Sequence, residues 1–162
     1  MSGLTAEQVA EDFRTRFGPK ALSCEVRSPR RIYAEVAPKD LPEAALYLWG
    51  ERKCRFNIAS GMETRSGFEV LYHFSFDEDN MIISVRVKVE GKENPTLPSV
   101  ADRIKAFNFI ERELHDLLGI KFEGHPDLKP LLRAEDWPDD FFPLRRTEKR
   151  AELDYEGADR YK

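Results

Sequence analysis

Phe68-Glu69-Val70-Leu71-Tyr72-His73-Phe74-Ser75-Phe76, then Asp77-Glu78-Asp79-Asn80, then Met81-Ile82-Ile83-Ser84-Val85-Arg86-Val87-Lys88-Val89 is the stretch that decides the fold. Apolar side chains fall on every second residue in both halves. Successive strand residues point to opposite faces, so this period of two predicts two strands, each with one dry and one wet face. The four polar residues between them predict a tight turn, hence an antiparallel hairpin. The aromatic stripe is read as core packing; a stack for nucleobases needs interleaved basic residues, and these are missing.

Upstream, Leu22, Cys24 and Val26 alternate with polar residues, and so do Ile32, Ala34 and Val36, with Ser28-Pro29-Arg30 as the link. Cys54, Phe56 and Ile58 predict a further strand before the hairpin. Three helices are expected. Thr5 and Gln8 form a capping-box pair that opens the first, Val9, Phe13 and Phe17 mark its apolar face, and Gly18-Pro19 closes it. Asp40 and Glu43 predict a second capping box and a short helix through Trp49. Ser99 and Asp102 are expected to cap the third, whose stripe is Val100, Ile104, Phe107, Leu114 and Leu118. The order α-β-β-α-β-β-β-α predicts an α+β two-layer sandwich with a mostly antiparallel sheet and helices on one face.

Composition narrows the function. A chain of 162 residues with 41% hydrophobic and 35% charged residues is a soluble globular class, and a net charge of -4 argues against nucleic acid. No apolar run approaches the roughly 20 residues that span a bilayer. Met1 to Asp12 has acidic residues and no apolar signal core, so a cytoplasmic chain is expected, at a membrane only indirectly through partners. Cys24 and Cys54, among apolar neighbours on strand-like segments, are read as reduced core thiols, with a disulfide or a reactive thiol as the alternative, and their spacing suits no metal or iron–sulfur site.

Past Gly119 the pattern changes. Pro126, Pro130, Pro138 and Pro143 exclude a long helix, yet Phe122, Leu128, Leu131, Leu132, Trp137, Phe141, Phe142 and Leu144 are too apolar for a disordered tail. The division expected is an α+β domain over 1–118 and an extended, proline-spaced docking tail over 119–162. Its last part splits into a basic cluster (Arg145, Arg146, Lys149, Arg150) and an acidic end (Glu152, Asp154, Glu156, Asp159). The tail wraps its own domain or docks on another protein, and about 40 residues favours docking.

The third helix carries Glu111-Arg112-Glu113-Leu114-His115-Asp116. Helical spacing pairs Glu111 with His115 and Arg112 with Asp116. Glu111 shares the stripe of Phe107 and Leu118, so its carboxylate needs a partner: Arg112 or His115 inside the chain, or a donor on another subunit. A stand-alone enzyme would need Glu111, His115 and His125 to converge on one cleft. The three histidines form no zinc-binding spacing, and His125, in Gly124-His125-Pro126-Asp127, reads as the cap of a backbone carbonyl in a turn. No catalytic or metal-ligating residue is assigned.

The run from Glu111 through Gly119-Ile120-Lys121-Phe122-Glu123-Gly124-His125-Pro126-Asp127-Leu128, with Glu135-Asp136-Trp137 and Pro143-Leu144-Arg145-Arg146 after it, closely resembles the signature of the C subunit of NADH-quinone oxidoreductase. The resemblance implies a structural subunit of the hydrophilic arm of respiratory complex I, with no redox centre of its own. It would dock on the large, hydrogenase-like subunit beside the small iron–sulfur subunit, peripheral on the cytoplasmic face of the inner membrane. Iron–sulfur clusters, and quinone or a nickel–iron centre, would lie in those partners. His115 and Leu118 depart from the respiratory pattern and look like the version in energy-converting, membrane-bound nickel–iron hydrogenases, so both complexes stay open. The residues implied in partner binding are Glu111, Arg112, Glu113, Asp116, Gly119, Phe122, Gly124, His125, Pro126, Leu128, Trp137, Pro143, Leu144 and Arg145. Phe122–Leu144 is expected to become protected only with the large subunit. Arg112→Ala and Glu111→Ala are expected to weaken assembly more than they unfold the chain.

Overall fold

A computed structural model describes residues 3–133 and 137–146. The first helix, α1 (Ala6–Phe17), starts as its sequence dictates: Thr5 Oγ1 accepts from Gln8 N while Gln8 Oε1 accepts from Thr5 N, and Gly18 closes it at φ 50°. The strands are β1 (Ala21–Ser28), β2 (Arg31–Val36), β3 (Arg55–Glu63), β4 (Gly67–Phe76) and β5 (Met81–Glu90). They form one sheet in the order β1-β2-β5-β4-β3, antiparallel except where β2 runs parallel to β5. The β4–β5 hairpin pairs Phe76 with Met81 and stays in register to Gly67 opposite Glu90.

The register shows which face is dry. Ile32 lies opposite Ile83, which lies opposite Phe74; Ala34, Val85 and Tyr72 make the next row. Phe74 pairs with Phe56, whose ring stacks 4.0 Å from Phe107 of the last helix, α3 (Phe107–Leu118). Cys24 pairs with Ala34 and sends its thiol to Ala10 O of α1. Both long helices therefore cover the same face, giving two layers. Burial pushes the Cys54 thiol up to about 12 and that of Cys24 up as well, as expected of thiols among apolar neighbours.

Two bulges correct the alternation read upstream. Phe56 pairs with Phe74 but Ile58 with His73, so Asn57 is an extra residue and the period slips by one. Ile58 is turned onto the open face, 49% exposed, and Ala59 takes the core position. The same slip between Ala21 and Ser23 throws Leu22 out. A one-residue slip reverses every following side chain, so alternation alone misplaced both.

Two helix starts also differ. Asp40 already sits in helical conformation at the end of a 3-10 turn, Pro38–Asp40, so its side chain cannot cap α2 (Leu41–Leu46); Glu43 instead meets Lys20 and Arg16. The chain reaches Trp49 through a wider π turn, Tyr47–Glu51. Residues Val100 to Ala106 form turns and α3 begins only at Phe107, uncapped by any side chain. Ser99 accepts from Ala101 N, so it caps the turn, not the helix. Two short strands complete the fold: β6 (Thr96–Pro98) runs parallel to β7 (Lys121–Glu123), which brings Ile120 and Phe122 into the core. The chain beyond Gly119 thus stays with the domain at first.

Phe107 is the hub, also within 5.7 Å of Tyr72 and 6.2 Å of Phe74. Phe107→Ala is expected to lower the unfolding free energy by about 3–5 kcal/mol, whereas Ile58→Ala should cost about 0.5 kcal/mol or less. Urea unfolding of the two variants checks both, and the second tests the bulge directly.

Candidate docking site

The helix α3 carries two carboxylates into the interior, Glu111 and Asp116, both wholly buried. A buried carboxylate must be given hydrogen-bond donors, and neither takes them from its own helix. Glu111 Oε2 accepts from Ser99 Oγ at 2.5 Å and Oε1 from Val100 N at 2.8 Å. Asp116 Oδ2 accepts from the amides of Leu131 and Leu132, both at 2.7 Å, and of Arg133 at 3.3 Å. Neither helical pair read from spacing forms. Backbone amides brought in by turns give shorter, charge-assisted bonds without fixing a long side chain.

The remaining residues of the run follow this arrangement. Arg112 donates to the carbonyls of Lys129 and Pro130, so the same stretch is held from both sides, and its guanidinium lies 5.7 Å over the Phe109 ring. His115 Nδ1 bonds Ile120 O, and Gly119 ends the helix at φ 70°. A Cβ at Gly119 would sit 2.7 Å from Arg145 Nη2 and from Phe142, so only glycine lets the returning chain lie this close. That return is fixed by Leu144 N to Leu117 O and by Arg145 Nε to Leu118 O. The Arg145 guanidinium lies between Phe142, at 4.6 Å, and Phe68, at 5.1 Å.

His125 caps a carbonyl as read: its Nδ1 accepts from Asp127 N, which leaves Nε2–H to donate to Asn108 O at 3.2 Å. The same Nε2 is 3.9 Å from Glu111 Oε2, with both side chains fully buried. Burial, opposed by the Ser99 and Val100 bonds, holds the Glu111 carboxyl up at about 7. Glu111 and His125 are thus brought together, but His115 is tied to Ile120 and no open cleft joins the three. Among the described residues no group of three or more His, Cys, Asp or Glu could hold a metal ion, and no helix is long and apolar enough to cross a membrane.

Glu111, Asp116 and Phe122 are buried in the chain's own fold. Glu111→Ala would strip the 99–101 turn of its acceptor, so a loss of stability is expected beside any loss of assembly. Glu113 and Leu128 are half-buried, Leu128 against the core, while Pro126 is exposed beside Gly124, which turns at φ 79°. The described part of the stretch past Phe122 is hydrogen-bonded to α3 within the chain. Glu135, Asp136, the Lys149 and Arg150 half of the basic cluster, and the acidic end of Glu152, Asp154, Glu156 and Asp159 lie outside the described residues.

Sequence reasoning missed Phe109. It is 63% exposed and is the one exposed residue of α3, whose other faces meet the sheet and, through hydrogen bonds, residues 129–133 and 144–145. Leu132 at 53% and Leu144 at 45% are exposed as well, and the Trp137 and Phe141 rings lie edge to face at 5.6 Å. The signal was available, an aromatic off the apolar stripe of a helix, but its meaning depended on what covers the neighbours.

Asp116→Ala should leave the unfolding cooperative while the amides of Leu131 to Arg133 exchange about tenfold faster or more, as read by hydrogen exchange. Glu111 supplies a pH test. Its carboxyl titrates near 4.5 unfolded and about 7 folded, so its contribution is intact below the first value and lost as pH rises through the second. The wild type should lose up to about 3 kcal/mol of stability relative to Glu111→Gln between pH 4.5 and pH 8, measured by urea unfolding at several pH values.

Residues 34–152 match the family described as the 30 Kd subunit of respiratory-chain NADH dehydrogenase. A relative from Ruegeria pomeroyi, named as the C subunit of NADH-quinone oxidoreductase, is 33% identical over 138 residues, 80% of this chain and 67% of that one. A protein of Phocaeicola vulgatus, named as the C/D subunit of NADH-quinone oxidoreductase, is 40% identical over 114 residues, 69% of this chain but 22% of that longer one. Among solved structures, a chain of the membrane-bound sulfane sulfur reductase, an archaeal respiratory membrane complex, superposes with a TM-score of 0.79 over 93% of this chain and 91% of that one, at 19% identity; it has the same fold. With the family matched over most of its length and the signature run ordered around two buried carboxylates, this chain belongs to the respiratory-chain NADH dehydrogenase 30 Kd subunit family.

Proposed function

We propose that this chain is a structural subunit, with no active site of its own, of a membrane-attached NADH-quinone oxidoreductase, and that it docks on the large subunit through the layer that residues 128–133 and 137–146 lay over α3. The carrying observation is the make-up of that layer. Phe109, Leu132 and Leu144 stand exposed and Trp137 and Phe141 half-buried, with the covering backbone held by Arg112, Asp116 and Arg145. Aromatic anchors on a preordered backbone are what protein interfaces use, since little entropy is lost on docking. In this reading Arg112, Asp116, Gly119 and Arg145 position the surface, and Trp137, Pro143 and Leu144 belong to it.

The combined C/D designation of the Phocaeicola relative supports the large subunit as neighbour. The names of the relatives favour quinone chemistry over the hydrogen-evolving alternative. Iron–sulfur clusters and the quinone site would belong to partner subunits, including the small iron–sulfur subunit, and the chain would reach the cytoplasmic face of the membrane only through them. A separate enzyme built on Glu111 and His115 finds no support, since one is buried and the other is engaged by a carbonyl.

Co-expression of the tagged chain with the large subunit of the same organism tests the reading. The double variant Phe109→Asp, Leu132→Asp should cut co-purification by about tenfold or more with an unchanged urea midpoint. Full co-purification by the folded variant would rule out docking through this face.

A further inference from the structure

The cluster behind the docking layer contains more ionisable groups than a static anchor needs. The Glu111 carboxylate is faced from three elements. The 99–102 turn offers the Ser99 hydroxyl, the Val100 and Ala101 amides and, as a like charge, Asp102. Strand β4 offers the Tyr72 hydroxyl, fully buried, without a hydrogen-bond partner among the described residues and close enough for the Glu111 charge to push it up further. The turn after β7 offers the imidazole of His125, which of these groups is the one able to carry positive charge.

We propose that Glu111, Ser99 and His125 form a proton-linked latch, in which loss of one proton from Glu111 to solvent shifts the turn Gly124–Asp127 along α3, from Asn108 toward Glu111. When Glu111 is protonated, its hydroxyl turns to donate to Ser99 Oγ while Oε1 still accepts from Val100 N, and His125 Nε2–H keeps Asn108 O, 3.2 Å away, as its acceptor. When Glu111 is ionised, Ser99 Oγ–H and Val100 N–H donate to the carboxylate, and His125 Nε2–H is the next donor within reach, 3.9 Å away. Closing that gap to a hydrogen bond takes a movement of about 1 Å.

The ring does not move alone. Asp127 N is bonded to Nδ1, so imidazole and turn travel together, and Gly124, at φ 79°, provides a pivot that other residues resist. The turn leads into Lys129 and Pro130, whose carbonyls Arg112 holds, so the movement is passed to the outer layer. The Glu111 carboxyl, held up at about 7 by burial, places the change in the neutral range. The latch is a property of this chain alone and does not depend on the docking partner.

Nuclear magnetic resonance on the labelled full chain between pH 5 and 9 tests it, following the Glu111 side-chain carboxyl carbon and the amides of Val100 and Asp127. All three should titrate with one midpoint, within about one unit of pH 7. Glu111→Gln should flatten both amide curves, and His125→Asn should leave Glu111 and Val100 titrating while Asp127 no longer follows. A Glu111 midpoint in the ordinary carboxylate range, or an Asp127 curve unchanged in Glu111→Gln, would overturn the proposal. Should Glu111→Gln fail to fold, the wild-type carboxyl carbon and the His125→Asn pair still decide it.

Discussion

Two carboxylates buried on one helix organise everything around α3. A carboxylate taken out of water costs several kcal/mol unless donors come with it. Glu111 finds its donors in the Ser99 hydroxyl and the Val100 amide, and Asp116 in the amides of Leu131 to Arg133, all on distant turns. An amide cannot reach a buried oxygen without its chain segment coming too. Satisfying the two charges therefore fixes the entry to the helix on one side and the covering strap on the other. Asp116 Oδ1 has no partner among the described residues, so one half of that demand is met by three converging amides on Oδ2.

The helix thereby becomes a scaffold. Its apolar stripe packs on the sheet through Phe107, Leu114 and Leu118, with Leu114 and Leu118 brought close over Gly61, whose missing side chain makes room. Its polar positions hold the strap, and only Phe109 is left for outside contact. The exposed surface above it is then second-hand: Leu132 and Leu144 lie on irregular backbone whose position is inherited from Asp116, Arg112 and Arg145. The pinning bonds are the point through which that segment would be loosened.

Features that rest on neighbours in the chain were legible: the Thr5–Gln8 capping box, the in-register hairpin of Phe68 to Val89, the glycine at the end of α3 and the carbonyl cap of His125. Each depends on contacts within a few residues, or on a period that nothing interrupts. Features that rest on a choice among partners were not. The i,i+4 pairs of α3 were sterically available, yet amides from elsewhere won, because preplaced backbone donors satisfy a buried charge better than a long flexible side chain. Bulges at Leu22 and Asn57 leave no mark in an alternating pattern until the opposite strand counts the residues.

By itself, then, the sequence determined the class of fold, since apolar period and turn chemistry are written locally, and it pointed to the family through the ordered run from Glu111 to Leu128. Only the tertiary structure decided that Glu111 and Asp116 face inward to turns of their own chain, that the strap lies on α3, and that Phe109, not the charged run, is what the helix shows to the outside. The physical reason is that a buried charge selects its donors from everything the fold brings within about 3 Å, and proximity of that kind exists only once the chain has folded.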